Sequence, residues 1–200
     1  DSTTMGLATL YTGMALGAGR EAVATVHCHY STRESLDLRA SRTGASVREV
    51  RLYRDIATVT PDEIAATAVA AVTPATRLLA VTWVHSSTGL KLPVRRIADA
   101  LAEVNRSRGE GDRVLLAVDG VHGFGNQDAT VGDLGCDFFV AGCHKWLYGP
   151  RGTGLVWGRE AAWRDVTPTI PSFTARGTPG SRMTPGGFHS FEHRWALAEA

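Results

Sequence analysis

No stretch of this 200-residue chain approaches the roughly 20 consecutive apolar residues that a membrane-spanning helix needs. Charge of one sign is equally scarce, because 21 basic and 20 acidic residues are mixed along the chain for a net charge of +1. Without a basic stripe or an acidic tail, nothing points to nucleic acid or to an anionic membrane surface as a partner. Cysteine is rare and irregular. Cys28, Cys136 and Cys143 are odd in number and share no repeated spacing, which argues against a disulfide framework and for a reducing compartment, so a cytoplasmic location is expected. No cysteine or histidine pairs recur at metal-site spacing, so no metal is expected. Internal repeats, low-complexity tracts and linkers are missing too. What the chain does have is 44% hydrophobic content, enough to bury one substantial core.

Those apolar residues fall into alternating strands and helices. "TTMGLATLYTGMALGAG" reads as a helix opening at Thr3 or Thr4 and stopping near Gly17 to Gly19. "EAVATVH" is a short buried strand. "STRESLDLRASRTG" carries Ser31 three residues before Glu34, a capping-box pattern, and ends at Gly44. "SVREVRLY" is a strand, and Thr60, Pro61 and Glu63 open a helix as N-cap, first helical residue and box partner. "RLLAVTWV", "RVLLAV", "DFFVAG" and "GLVWG" are further strand-like runs, and "PVRRIADALAEVNRSRG" is an amphipathic helix. Strands without an exposed polar face, separated by helices, predict an α/β fold with a mostly parallel sheet and helices on both faces.

Ligands of such sheets sit outside the carboxyl ends of the strands. The residues leaving those ends are His27, Cys28, His29 and Tyr30, then "HSSTG" (85–89), "DGVHGFG" (119–125) and "GCHKW" (142–146). A lysine placed there, Lys145, is a poor choice unless its charge is paired or its amine has chemistry to do. Asp119 lies 26 residues earlier at a neighbouring strand end, where a carboxylate can stabilise a protonated ring nitrogen. His122 can contact or cover a ring. Thr3 and Thr4, at a helix start, offer hydroxyls and free backbone N–H groups to a phosphate. Amine, pyridinium partner, ring-facing histidine and phosphate cup together describe a site for pyridoxal 5'-phosphate. Each residue also has a plainer reading: Lys145 as a solvated loop lysine, Asp119 as a turn cap, His122 and His144 as structural histidines, Trp146 as packing.

The motifs "TTMGLA", "HCHYSTRES", "WVHSSTGLKLP", "DGVHGFG", "AGCHKWLYGPRGTG" and "TPGGFHSFEHRWAL" resemble the class V aminotransferase family of fold-type-I pyridoxal-phosphate enzymes, most of all its isopenicillin-N-epimerase-like branch. The resemblance implies that Lys145 carries the cofactor, that Asp119 binds its ring nitrogen and that His122 lies near its phenolic oxygen. It places Thr3, Thr4 and His144 on the phosphate and Ser86 where many relatives have an asparagine near the ring oxygen. His29 or His27 would stack on the ring; the extra residue in "HCHY" leaves both registers open. Two positions depart from the desulfurase branch: Gly142 replaces a phosphate-binding serine, and Met5 stands where glutamate is frequent.

The expected activity is therefore reaction at Cα or Cβ of an amino-acid substrate, epimerase-like or C–S-lyase-like, with transamination as the nearest alternative. A non-catalytic pyridoxal-phosphate sensor is the alternative from another class. The resemblance also implies a homodimer and makes residues 1–200 the large domain, without N-terminal elements and without the small C-terminal domain that supplies a substrate-carboxylate arginine. Arg176 and Arg182 do not match that arginine by motif.

Overall fold

Local chemistry sets most element boundaries in the computed structural model, which describes residues 1–167 and Thr169. Helix α1 (Thr3–Gly13) is capped by Ser2, whose hydroxyl accepts the Met5 N–H at 3.1 Å. It ends earlier than the sequence predicts, because Gly13 and Met14 turn away to meet another segment. Met14 forms a bridge with Val166, Thr167 N–H donates to the Gly13 carbonyl, and a side chain at Gly13 would collide with the Thr167 backbone. Strand β1 (Glu21–Thr25) leads to α2 (Tyr30–Thr43). Here the expected Ser31–Glu34 box does not form. His29 is the N-cap instead, its Nδ1 accepting the Ser31 N–H, while Gly44 closes the helix in the left-handed conformation as expected.

Strand β2 (Ser46–Val50) precedes α3 (Pro61–Ala70), where Thr60 and Glu63 form the full capping box. Strand β3 (Thr76–Thr82), helix α4 (Val94–Arg106) and strand β4 (Leu115–Asp119) follow. A short helix that the sequence pattern did not reveal, α5 (Val131–Leu134), has its own box between Thr130 and Asp133. Strands β5 (Phe138–Gly142) and β6 (Gly154–Gly158) complete the sheet. The motif "TPGGFHSFEHRWAL", with Phe188, and the two arginines Arg176 and Arg182 lie outside the described residues.

The strand order is β2-β1-β3-β4-β5-β6, parallel throughout except for β6, which runs antiparallel to β5. Two apolar clusters flank the sheet. One gathers Ile64 and Ala68 of α3 with Ile97 and Leu101 of α4 against Val23, Leu79, Val81 and Phe139. The other gathers Leu7, Leu10 and Tyr11 of α1 with Leu36 of α2 against Ala22, Leu78, Ala117 and Phe138. Burial on both faces is why β1, β3, β4 and β5 are buried along their whole length. It is an α/β fold with helices on both faces of a mostly parallel sheet.

This topology aligns the four buried parallel strands so that their carboxyl ends share one edge. Thr82 pairs with Asp119 across β3 and β4, and Asp119 pairs with Val140 across β4 and β5. The chain leaving each strand enters the same region.

Candidate active site

A cavity of about 270 Å³ opens at that edge. It is lined by Thr3, Thr4, His27, His29, Ser86, Asp119, His122, His144 and Lys145, the nine residues singled out by sequence, together with Ser2, Ser31, Thr82 and Val121. Thr82 was legible only through the β3–β4 register, which sets it beside Asp119.

Asp119 is the innermost charge, at 3% exposure. One carboxylate oxygen accepts the Val121 N–H at 3.1 Å, so it does cap the following turn. Among the described residues, no cation is in ion-pair contact with it. Burial raises its pKa, against the weaker opposing effects of the Val121 N–H, Lys145 and His29. A buried carboxylate in this state has capacity for a cationic N–H that the described residues do not provide.

Lys145 is exposed at the cavity mouth rather than buried at the strand end. Its Nζ is 3.1 Å from His122 Nε2, and the indole N–H of Trp146 donates to His122 Nδ1 at 3.1 Å. Trp146, expected to be packing, is 43% exposed and reaches across to His122. Gly125 makes this possible. With φ of +80° and no side chain, it lets the 119–125 turn press onto the lysine loop, where a Cβ would lie 2.7 Å from the Leu147 nitrogen.

The opposite end of the cavity is an anion cradle. Ser2 takes the Met5 and Gly6 amides, leaving the Thr3 and Thr4 amides in the open first turn of an 11-residue helix. The buried Thr3 hydroxyl has no hydrogen-bond partner among the described residues. A Cβ at Gly142 would come within 3.1 Å of that hydroxyl and 3.2 Å of the His144 ring, so glycine there keeps the two groups close to each other.

The two candidate ring histidines have different surroundings. His27 stacks flat on Tyr53, with centroids 4.0 Å apart and planes within 3°, and the Tyr53 hydroxyl is 2.9 Å from His85 Nδ1. His85, only 1% exposed, has its pKa lowered to about 4, chiefly by burial and then by His27. His29 caps α2 and lies within electrostatic reach of both Asp119 and His122. One face of His27 is thus already covered, whereas His29 belongs electrostatically to the Asp119–Lys145 group. Cys28 lies below them with its thiol pushed up in pKa by burial, as suits an inert side chain.

An unpaired buried carboxylate, an exposed amine and an anion cradle with a free hydroxyl fit the ring nitrogen, aldehyde and phosphate of pyridoxal phosphate. Comparison with known proteins agrees. The model of the family described as "Aminotransferase class-V" matches residues 1–176. The chain belongs to the class-V aminotransferase family.

This class-V chain is 37% identical over 142 residues to isopenicillin N epimerase of Streptomyces clavuligerus, covering 71% of the chain and 33% of that protein. It is 33% identical over 154 residues to cysteine desulfurase of Yersinia pestis (strain Pestoides F), covering 76% of the chain and 34% of that protein. It therefore spans about a third of the length of these curated relatives. The solved structure of a C-DES mutant with glycine covalently linked to its pyridoxal-phosphate cofactor superposes with a TM-score of 0.76 at 24% identity, covering 86% of this chain and 43% of that one. That likeness extends to the fold. The family is one of pyridoxal-phosphate enzymes, and among the described residues no helix is long and apolar enough to cross a membrane.

Proposed function

We propose that these residues form the large, cofactor-binding domain of a pyridoxal-phosphate enzyme that acts at Cα of an amino-acid substrate, as an isopenicillin-N-epimerase-like catalyst. The observation that carries the reading is Asp119: a carboxylate at 3% exposure with no ion-pair cation among the described residues, lining the cavity that Lys145 also lines. Similarity to the Streptomyces epimerase supports the choice within the family.

The cofactor, when bound, supplies an electron sink for the bond broken at Cα. Asp119 would hold the proton on its ring nitrogen by accepting that N–H in a buried, low-dielectric position. His122 and Ser86 would lie toward the ring oxygen, and His29, rather than the Tyr53-stacked His27, would cover the ring. Thr3 and Thr4 bind the phosphate through the first turn of α1, with His144 beside them. Lys145 Nζ would hold the cofactor covalently and, once the substrate's amine has displaced it, would be the base for the Cα proton. Inversion would need a second acid to deliver a proton to the opposite face of Cα while Lys145 keeps the one it removed.

A C–S-lyase reading draws on the desulfurase relatives, which match a larger share of the chain. Gly142 and Met5 weigh against a plain desulfurase, since a hydroxyl and a carboxylate are absent where that branch places them. Transamination requires proton delivery at a different carbon by the same Lys145. A cytoplasmic homodimer completes the proposal: Met5, Tyr30, Leu147 and Tyr148 are exposed hydrophobics flanking site residues, a surface that a second protomer would cover.

The deciding experiment follows the full-length protein on a panel of amino acids while monitoring configuration at Cα, ketoacid, ammonia and sulfide. Inversion at Cα supports the epimerase reading, sulfide the lyase reading and ketoacid the transaminase reading. Attached cofactor with no turnover on any substrate would instead identify a sensor. In parallel, Lys145→Ala should abolish borohydride-reducible attachment of the cofactor while the fold survives, because the change removes an exposed side chain. Persistence of that attachment in the alanine variant would sink the assignment.

A further inference from the structure

The carboxyl end of β2 opens onto a second cavity, of about 970 Å³. Parallel pairing with β1 puts that end on the same sheet edge as the candidate active site. The two cavities share a wall of stacked rings: His27 lines the first, Tyr53 lines the second, and their centroids are 4.0 Å apart. The Tyr53 hydroxyl, 2.9 Å from His85 Nδ1, braces that wall. Arg51 and Arg54 also line the second cavity, and both are exposed. Neither guanidinium is in an ion pair among the described residues. The carboxylates of the same lining are already engaged. Asp55 accepts the Ala57 N–H at 2.9 Å, and Glu63 accepts the Thr60 N–H and hydroxyl at 2.8 and 2.9 Å. What this lining leaves uncommitted is cationic N–H, in a fork geometry suited to carboxylate.

We propose that Arg51 and Arg54 form an anion subsite beyond His27, which selects amino-acid substrates carrying a carboxylate at the far end of the side chain. A substrate with its Cα at Lys145 must extend past His27 and Tyr53 to reach the subsite, so the side chain has to be long. Leu52 and Val59 add apolar lining that suits its methylene groups. Arg51 is near enough to His27 for its charge to lower the His27 pKa, after the larger effect of burial. Subsite and active cavity are therefore electrostatically joined. Because the guanidiniums are solvated, they discriminate between substrates more than they tighten binding. The proposal rests on the reading of the Lys145 cavity as the place of reaction.

The test runs the full-length holoenzyme on glutamate and its longer homologues, each set against its terminal amide. At the best-fitting length the acid should be preferred in kcat/KM by about fivefold, the upper end for an exposed ion pair. Arg51→Gln combined with Arg54→Gln should abolish that preference, the loss falling on the acids. Arg51→Lys, which keeps the charge without the fork, should retain part of it. Indifference of the parent to the terminal charge overturns the proposal. So does a double variant that loses acids and amides equally, which would put the arginines on the α-carboxylate. A second readout needs no turnover. In the cofactor-free full-length protein, adipate should raise the His27 titration midpoint followed by imidazole NMR, because an anion on Arg51 offsets its charge. Neutral adipamide should leave it in place, and Arg51→Gln should lose the response. No adipate response in the parent, or an equal one in Arg51→Gln, also overturns the proposal. Failure of the Lys145 reading has a different signature: cofactor attachment survives in Lys145→Ala, and His27 still responds to adipate.

Discussion

The two edges of the sheet treat a buried carboxylate in opposite ways. At the amino edge, Glu21 opens β1 at 9% exposure and is fully engaged. Arg48 donates to both of its oxygens at 2.9 and 3.1 Å, and the Thr76 and Thr73 hydroxyls donate at 2.6 and 3.1 Å. At the carboxyl edge, Asp119 closes β4 with a single backbone N–H. The Glu21 pKa is lowered, its hydrogen bonds and the Arg48 charge outweighing burial, while burial leaves that of Asp119 raised. Among the described residues one carboxylate is completed and the other is not, which suits the first to holding the sheet and the second to the cofactor role proposed for it. Orphaned hydroxyl and ring atoms at the same carboxyl edge (Thr3 Oγ1, His27 Nε2, His85 Nε2) extend the contrast.

The sharpest break of this comparison is Asp119→Asn. Retaining the turn but losing the charge, it should lower turnover by roughly a thousandfold, the equivalent of the ~3–5 kcal/mol lost when one partner of a buried charge pair is removed. Cofactor attachment should persist, since Lys145 and the phosphate cradle remain. The cofactor-free variant should be at least as stable as the parent, because a carboxylate whose pKa is raised by burial costs stability once ionised. A loss of thermal midpoint in the cofactor-free protein with turnover unchanged would make Asp119 a turn cap and nothing more.

A second effect comes from His85. Its folded pKa of about 4 lies below the ~6.5 of an unfolded histidine, so the folded state binds fewer protons between those values. Its contribution is fully present above pH ~6.5 and is lost as pH falls toward 4, about 3 kcal/mol in all. Urea unfolding at pH 7 and pH 4.5 should show this decline, and His85→Gln should remove most of it. An equally steep decline in the variant would assign the pH dependence to other groups.

Glu21→Gln tests the completed edge. Loss of the charge that Arg48 meets should cost about 2 kcal/mol at pH 7, read as a lower urea midpoint, with the chemistry at the far edge untouched. The sign with pH is fixed. A lowered carboxyl pKa contributes stability that is full above the unfolded value of ~4.3 and disappears as pH falls through the folded value, so parent and variant should converge in acid. Divergence that grows below pH 4 would contradict the role given to Glu21.

Much of this contrast was visible in the chain itself, for physical reasons that also mark where the visibility stopped. Apolar runs such as "RLLAVT" are buried on both faces, and that burial needs a composition that can be read directly. Thr60, Pro61 and Glu63 act within four residues, so their capping box was legible. Ser31 and Glu34 have the same pattern, yet His29 displaced them, because its ring reaches the Ser31 amide and hydroxyl from the cap position. The end of α1 depends on Val166, some 150 residues away, which no local signal encodes. Lys145, Asp119 and the histidines could be placed together because strand ends must converge in a parallel sheet, and they line one cavity. Trp146 was missed because a tryptophan next to an apolar run is ordinarily packing, and only the fold brings it to His122.

The smallest effect probes the far end of the same site, at Gly142. A methyl group there would sit 3.1 Å from the Thr3 hydroxyl and 3.2 Å from the His144 ring, closer than ordinary van der Waals contact. Thr3 is buried and on a helix start, so it yields little; His144 is exposed and moves more readily. Gly142→Ala should therefore push His144 outward and weaken pyridoxal phosphate binding about threefold, below 1 kcal/mol. Gly142→Ser introduces the same crowding but adds a hydroxyl that can donate to the phosphate, so it should bind more tightly than the alanine variant. Equilibrium titration of cofactor into the three proteins, each carrying Lys145→Ala to exclude covalent capture, measures the cradle alone. Binding by Gly142→Ala as tight as by the parent would mean that the phosphate is held elsewhere than between Thr3 and His144, and the division of labour along the carboxyl edge would have to be redrawn.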